Sequence, residues 1–380
     1  MTFLYFICVI ALLQGVVSLI QGIRSVRHIR TYRPRSDWRP RVVVFCPCKG
    51  VDPGFLENVR SILEQDYPAF RVVFIVDSES DPALPVLASR HATVLVAGAA
   101  TMRGQKVHNL IHGVEHGSGD AEVFVFCDAD ARFSRNWIER LIAPLENPGM
   151  TVSTGYRWYA AESGSLPALL RSTWNASVVT ALGEHGRNFA WGGSMALRRA
   201  DFDRIAVRDA WEGALSDDYA VTRAALRAGR RIAFVPECLI PSYGDCTWSE
   251  LLEFTTRQIL ITRVYDSAMW RMALVTQSVF NVAFWGGLLL PWPHGLVTPA
   301  LYALAGIKSF IRYNGVATVL PPGALSKHRA SYILLSPLTA LLFEYNLLRS
   351  ALTRNITWRQ IRYRLISPTR TEVYRGAAGS

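Results

Sequence analysis

The chain has 380 residues, half of them hydrophobic, and a formal net charge of +11. Its length accommodates one large domain or two of ordinary size. Seven arginines against Asp37 in residues 24–41, and six against Glu372 in residues 353–375, account for the whole excess; the rest of the chain is neutral, which excludes the basic face that nucleic-acid binding requires.

Residues 3–20 form an apolar run just long enough to cross a bilayer. No positive charge precedes it and no small-residue cleavage site ends it, so residues 1–22 read as a retained anchor and 23–40 as a basic juxtamembrane linker. The arginines that follow the run place the next segment in the cytoplasm. Residues 41–270 read as one α/β domain. Strands are expected at 42–45, 71–76, 93–96 and 122–127, with helices at 55–65 and 106–116 between them. Continuous apolar strands separated by helices imply a mainly parallel sheet covered on both faces. Ligands of such sheets bind beyond the carboxyl ends of the strands, so polar residues just after strands are the candidates.

Further apolar segments lie at 272–290, 296–310 and 331–352, within a membrane region spanning 271–352. Three crossings would put the basic tail, 353–380, outside, against the charge rule, so one of the last two segments is expected to be re-entrant or interfacial. The protein is thus expected to be an integral membrane protein, of the inner membrane in a bacterium, with a cytoplasmic main domain. The six cysteines include Cys46-Pro47-Cys48, whose spacing suits neither a zinc knuckle nor a CxxC centre; buried free thiols in a reducing compartment are expected.

Asp77 ends the second strand, and Asp128-Ala129-Asp130 follows the fourth. Two carboxylates at i and i+2 in a turn can converge on one hard cation, and magnesium or manganese readily shares such oxygens with phosphates. The competing role is an Asx-turn or a cap for a helix near Ser134. Asp217-Asp218 precedes an amphipathic stretch at 219–226; Asp218 suits a general base, and either Ser216 or Asp217 suits a helix cap.

Together these segments resemble the GT-A glycosyltransferases of family 2 type, most closely the ceramide glucosyltransferase-like branch. The resemblance rests on Cys48-Lys49-Gly50-Val51-Asp52-Pro53, Gln65-Asp66-Tyr67-Pro68, the acidic loop at 77–82, Gly104-Gln105-Lys106-Val107-His108-Asn109-Leu110, Asp128-Ala129-Asp130, Gly192-Gly193-Ser194-Met195-Ala196-Leu197-Arg198 and Ser216-Asp217-Asp218-Tyr219. It runs from about Pro47 to Arg263 and is carried by the ordered set rather than by any one motif. It implies a nucleotide-diphospho-sugar transferase fold, Rossmann-like, and inverting transfer from a UDP-sugar to a lipid hydroxyl. It further implies nucleotide-sugar contacts from Lys49, Asp77, Lys106, Asp128 and Asp130, a divalent metal (Mg or Mn) at Asp128 and Asp130, and Asp218 as base. Gly192, Gly193 and Asp217 fall on the acceptor or diphosphate side.

One element departs from the pattern. Where the family often has Q/R-x-x-R-W, this chain has Arg257, then Leu260 and Ile261, with Arg263 and Tyr265 one turn later. Arg257 and Arg263 remain candidates for diphosphate or acceptor contact, or for snorkelling to lipid headgroups. The missing tryptophan argues against a processive polysaccharide synthase. His185 and Trp191 flank a polar loop, 184–193, suited to an acceptor lid or to plain solvation. The basic aromatic stretch 358–365 reads as an amphipathic patch or a family tail. Two rival readings stay open: a polyprenyl-phosphate or polysaccharide transferase, and a non-catalytic membrane scaffold. Retention of Asp77, Asp128, Asp130 and Asp218 opposes the second.

Overall fold

A computed structural model describes residues 2–325 and 328–375. In chain order the elements are α1 Thr2–Thr31, β1 Val42–Pro47, α2 Phe55–Leu63, β2 Phe70–Val76, α3 Ala83–Ala88, β3 Thr93–Val96, α4 Gln105–Gly117, β4 Val123–Cys127, α5 Trp137–Ile142, β5 Met150–Ala160, α6 Leu166–Val178, β6 Ser194–Arg198, α7 Arg199–Arg204, α8 Val207–Ala210, α9 Asp217–Arg227, β7 Arg231–Tyr243, α10 Trp248–Tyr265, α11 Ser267–Gly287, α12 Val297–Val316, α13 Ser331–Leu334, α14 Ser336–Leu352, β8 Asn355–Trp358, β9 Ile361–Ser367 and β10 Arg370–Tyr374. They form two compact units.

One unit comprises residues 32–157, 184–242 and 354–380. Its sheet has the order β3-β2-β1-β4-β6-β5-β7. The first four strands are parallel, and β6 runs antiparallel to both β4 and β5. The parallel part follows from the residues: Val42, Val43, Val44 and Phe45 are all 2% exposed or less, so both faces of β1 are covered. Alternate side chains supply two cores. Val44, Phe74, Val125 and Trp137 pack on one face; on the other, Phe45 and Phe124 join Phe126, Phe202 and Trp211 in edge and stacked ring pairs. The six cysteines are free and buried. The expected strands and helices occur at the expected places. The antiparallel half was not legible as periodicity, because β5 and β7 carry Ser, Thr, Gly and Pro among their buried residues.

The basic C-terminal stretch has regular structure. It forms the antiparallel sheet β10-β9-β8 within this same unit. Its alternation is a strand signal: Ile361, Tyr363 and Leu365 are buried while Arg362 and Arg364 face out. The turn between β8 and β9 is Arg359-Gln360, both at positive φ (50° and 66°), the primed hairpin geometry that glycine and asparagine usually occupy.

The other unit comprises residues 1–31, 158–183 and 243–353. Residues 158–183 and 243–270, grouped by sequence with the main domain, cluster here with the apolar helices. Among the described residues, α1 alone is long and apolar enough to cross a membrane; its most apolar 18 residues average a hydropathy of 2.5 and are 11% buried. The helix packs through small residues. A Cβ on Gly15 would lie 2.9 Å from Leu304, and one on Gly22 would lie 3.0 Å from the Lys308 stem on α12. Gln14 donates from Nε2 to the Thr276 carbonyl of α11 at 2.9 Å.

Candidate active site

The candidate residues of the sheet-bearing unit gather where strand ends and helix starts meet. Lys49, just past β1, ion-pairs with Asp77 at the end of β2. Asp81 in the loop after β2 accepts from Gly50 N at 3.0 Å and from Ala83 N at 2.8 Å, fixing the two loops together. Lys106, in the first turn of α4, bridges two acids: its Nζ lies 2.7 Å from Asp128 Oδ1 and 3.1 Å from Asp217 Oδ2. Thus the K-x-x-N segment divides its work. Lys106 enters the site, whereas Asn109 is buried and accepts from Gln105 Nε2 at 2.7 Å.

Asp128 and Asp130 do not cap a helix. α5 starts at Trp137 after Asn136. Instead Arg157 on β5 holds both acids, with Nη2 3.1 Å from Asp128 Oδ2 and 2.7 Å from Asp130 Oδ1, and Nη1 3.1 Å from Asp130 Oδ2. The Arg157 guanidinium also lies over the Trp191 ring, 5.1 Å from its centroid. No local signal marks Arg157: it lies in the irregularly patterned strand β5, 27 residues after Asp130.

Ser216 is the N-cap of α9, accepting from Tyr219 N at 3.3 Å. Asp218 accepts from Ser216 Oγ, from Tyr219 N at 2.7 Å and from Gly192 N at 3.1 Å. Asp217 is 3% exposed, and its Oδ2 would lie 2.1 Å from a Cβ on Gly192, so only glycine allows this approach. A Cβ on Gly193 would collide with the Trp191 ring at 2.1 Å.

The electrostatics follow from this packing. Burial would raise the Asp128 carboxyl, but Lys106 and Arg157 overcome it and hold the group below its ordinary range. Burial pushes Asp217 up to about 6 against the pull of Lys106, with Asp218 and Asp128 adding to the rise. Burial opposes the charge on Lys106, yet Asp128, Asp217 and Asp218 raise its pKa. The centre therefore holds three acids around one lysine.

The C-terminal sheet contributes residues that sequence reading missed. Arg359 makes a two-point ion pair with Asp52, at 2.7 and 2.5 Å. That bond raises its pKa, with Asp130 and Asp128 adding to the rise. Tyr363 Oη accepts from Gln105 N at 3.3 Å, and Arg375 donates to Gln105 Oε1.

Arg257 and Arg263 belong to the other unit. Arg257 pairs with Glu253 at 3.2 Å. Arg263 donates to the carbonyls of Ser350 and Thr353 at the end of α14, the usual place for a cation at a helix C-terminus. His185 sits in an exposed turn, accepting from Arg187 N at 3.2 Å.

Among the described residues there is no cluster of three His, Cys, Asp or Glu side chains suited to a metal. Asp128 and Asp130 nonetheless fit a divalent cation that takes its remaining ligands from phosphate and water. Their oxygens are hard donors on one turn, each retains lone-pair capacity beyond its present bond, and the Asp130 side chain is 37% exposed.

A solved mannosyltransferase from Pyrobaculum calidifontis, in complex with GDP-Man and Mn2+, superposes with a TM-score of 0.53 at 16% identity, over 92% of this chain and 98% of that one. Glucosyl-3-phosphoglycerate synthase of Mycobacterium tuberculosis superposes over 60% of this chain and 80% of its own, with a TM-score of 0.41 and 14% identity. The ceramide glucosyltransferase of Komagataella phaffii is 30% identical over 90 residues, 21% of this chain and 18% of that protein, so the match spans less than a fifth of the relative. The fold is that of GT-A structures. The model of "Glycosyl transferase family 21" matches residues 3–371, and the chain belongs to that family.

Proposed function

We propose that this glycosyltransferase moves a hexose from a UDP-sugar to the hydroxyl of a membrane lipid, with inversion, at the cytoplasmic face. The observation that carries the reading is Lys106, which joins the Asp128 acid of the β4 turn to the acidic pair that opens α9. Phosphate-binding cations and a candidate base are thereby held in one rigid cluster. Asp77 and Lys49 lie at the strand ends suited to the nucleoside.

In this mechanism Asp218, oriented by Gly192 N and Tyr219 N, takes the proton of the acceptor hydroxyl. The new C–O bond forms at the anomeric carbon as the glycosyl–phosphate bond breaks, and the nucleoside diphosphate leaves with the electron pair. Lys106, Arg157 and Arg359 supply positive charge for the departing diphosphate. A magnesium or manganese ion held by Asp128 and Asp130 would add charge stabilisation of the same group.

The membrane side rests on α1 and on the placement of both flanks. Residues 32–41, after α1, and 354–375, after α14, fall in one compact unit. An even number of crossings between them satisfies this, and keeps both arginine clusters on the cytoplasmic side. A ceramide-like acceptor is supported only by the similarity to the ceramide glucosyltransferase segment.

The test uses purified protein in detergent with manganese, UDP-glucose, UDP-galactose or UDP-N-acetylglucosamine, and a total lipid extract. Lipid-dependent UDP release with a new glycolipid mass is expected, and Asp218→Asn is expected to lower the rate about 10²–10⁴-fold. Transfer to polyprenyl phosphate with little loss in Asp218→Asn identifies a phosphate acceptor, which needs no base. Absence of both turnover and nucleotide binding would sink the enzymatic reading.

A further inference from the structure

Within the helical unit, α1, α6, α11, α12, α13 and α14 line a cavity of about 190 Å³, several times the ~30 Å³ share of a water molecule. Its polar lining includes Ser18, Lys308, Ser309 and Arg312, with further hydroxyl and amide side chains around them. Lys308 and Arg312 lie one turn apart on α12. Lys308 Nζ donates to Ser18 Oγ of α1 at 2.7 Å, which pins the ammonium rather than letting it reach solvent. Arg312 is 4% exposed; its Nη2 donates to Ser309 Oγ at 3.2 Å, and its Nε is buried with no hydrogen-bond partner. Among the described residues neither cation has a carboxylate within ion-pair distance, and the cavity lining contains no acid. Glu344 on α14 does not line the cavity and accepts from Ser278 at 2.8 Å.

Two buried cations without a counter-ion are costly, and in a membrane segment such residues mark a function. Arginine and lysine together suit a phosphate oxyanion, and the Ser18 and Ser309 hydroxyls, which accept from these cations, keep their own O–H to donate, whereas Ser177 and Ser336 donate to the Trp174 and Ile333 carbonyls. The wall formed by α1 is lipid-facing by composition, with Phe3, Phe6 and Leu13 63–75% exposed. We propose that this cavity binds the phosphate of an anionic phospholipid headgroup, neutralised by Lys308 and Arg312. The inference rests on the membrane reading above, and not on the choice of sugar donor.

The experiment uses the full chain, delipidated in a neutral detergent, with binding read by native mass spectrometry. Three probes are compared: phosphatidylglycerol, diacylglycerol with the same acyl chains, and soluble glycerol 3-phosphate. One phosphatidylglycerol should bind per chain, with diacylglycerol and glycerol 3-phosphate weaker by about tenfold or more. The double variant Lys308→Gln/Arg312→Gln should lose about tenfold in phosphatidylglycerol affinity. Lys308→Arg/Arg312→Lys, which keeps both charges, should retain most of it. UDP binding, measured alongside, reports an intact catalytic unit in every variant and separates this test from the transferase reading. Equal binding of phosphatidylglycerol and diacylglycerol, or unchanged affinity in the double glutamine variant, overturns the proposal. Equal binding of glycerol 3-phosphate overturns the lipid as source.

Discussion

Lys106 and Arg312 are both largely buried cations, yet they stand in opposite electrostatic settings. Lys106 touches two aspartates, and Asp128 is shared in turn with Arg157. Arg312 and its neighbour Lys308, among the described residues, donate to serine hydroxyls and to no carboxylate. The first centre is charge-compensated, so in the proposed function a diphosphate or a metal shares these acids and cations with existing ion pairs. The second leaves its charge for an anion from outside the chain. A buried ion thus means little until its partners are counted.

This contrast is open to attack by mutation. The largest effect is expected for Lys106→Met. It leaves Asp128 and Asp217 facing each other without the shared cation, and should cost about 3–5 kcal/mol of stability, read by denaturant unfolding. A cost below 1 kcal/mol would show that Arg157 suffices alone. Next is Arg359→Ala, which should weaken UDP binding about tenfold while leaving uridine binding unchanged, by calorimetry. Asp52→Asn is the discriminating partner. It frees Arg359 and should not weaken UDP, whereas equal losses in both variants would reduce Arg359 to a hairpin fastener.

A smaller effect with a telling sign is expected at Arg312→Met. In delipidated protein it removes an uncompensated charge and should raise Tm by about 2–4 °C. With phosphatidylglycerol present, the gain should vanish. The smallest effect concerns pH. Between about pH 4 and the Asp217 value of about 6, the unfolded chain has lost this proton while the folded chain keeps it. Stability should therefore fall as pH rises through that window. Asp128, held low, acts in the opposite sense: its contribution is present above the ordinary carboxylate range and lost in acid. Asp217→Asn should flatten the fall between pH 4 and 6 in a thermal-shift series.

The sequence by itself determined the parallel half of the sheet, because continuous runs such as Val42–Val43–Val44–Phe45 have no alternative to burial on both faces. It also determined α1, whose apolar length is a local property. It picked out Lys106, Asp128, Asp217 and Asp218, since polar residues at strand ends and helix starts stand out against their neighbours. What only the tertiary structure decided was the pairing. Arg157 reaches Asp130 from a strand whose pattern carries no such signal, and Arg359 reaches Asp52 across 307 residues. The same holds for the lack of an acid beside Arg312. Charge compensation depends on distances between segments far apart in the chain, and local periodicity holds no information about them.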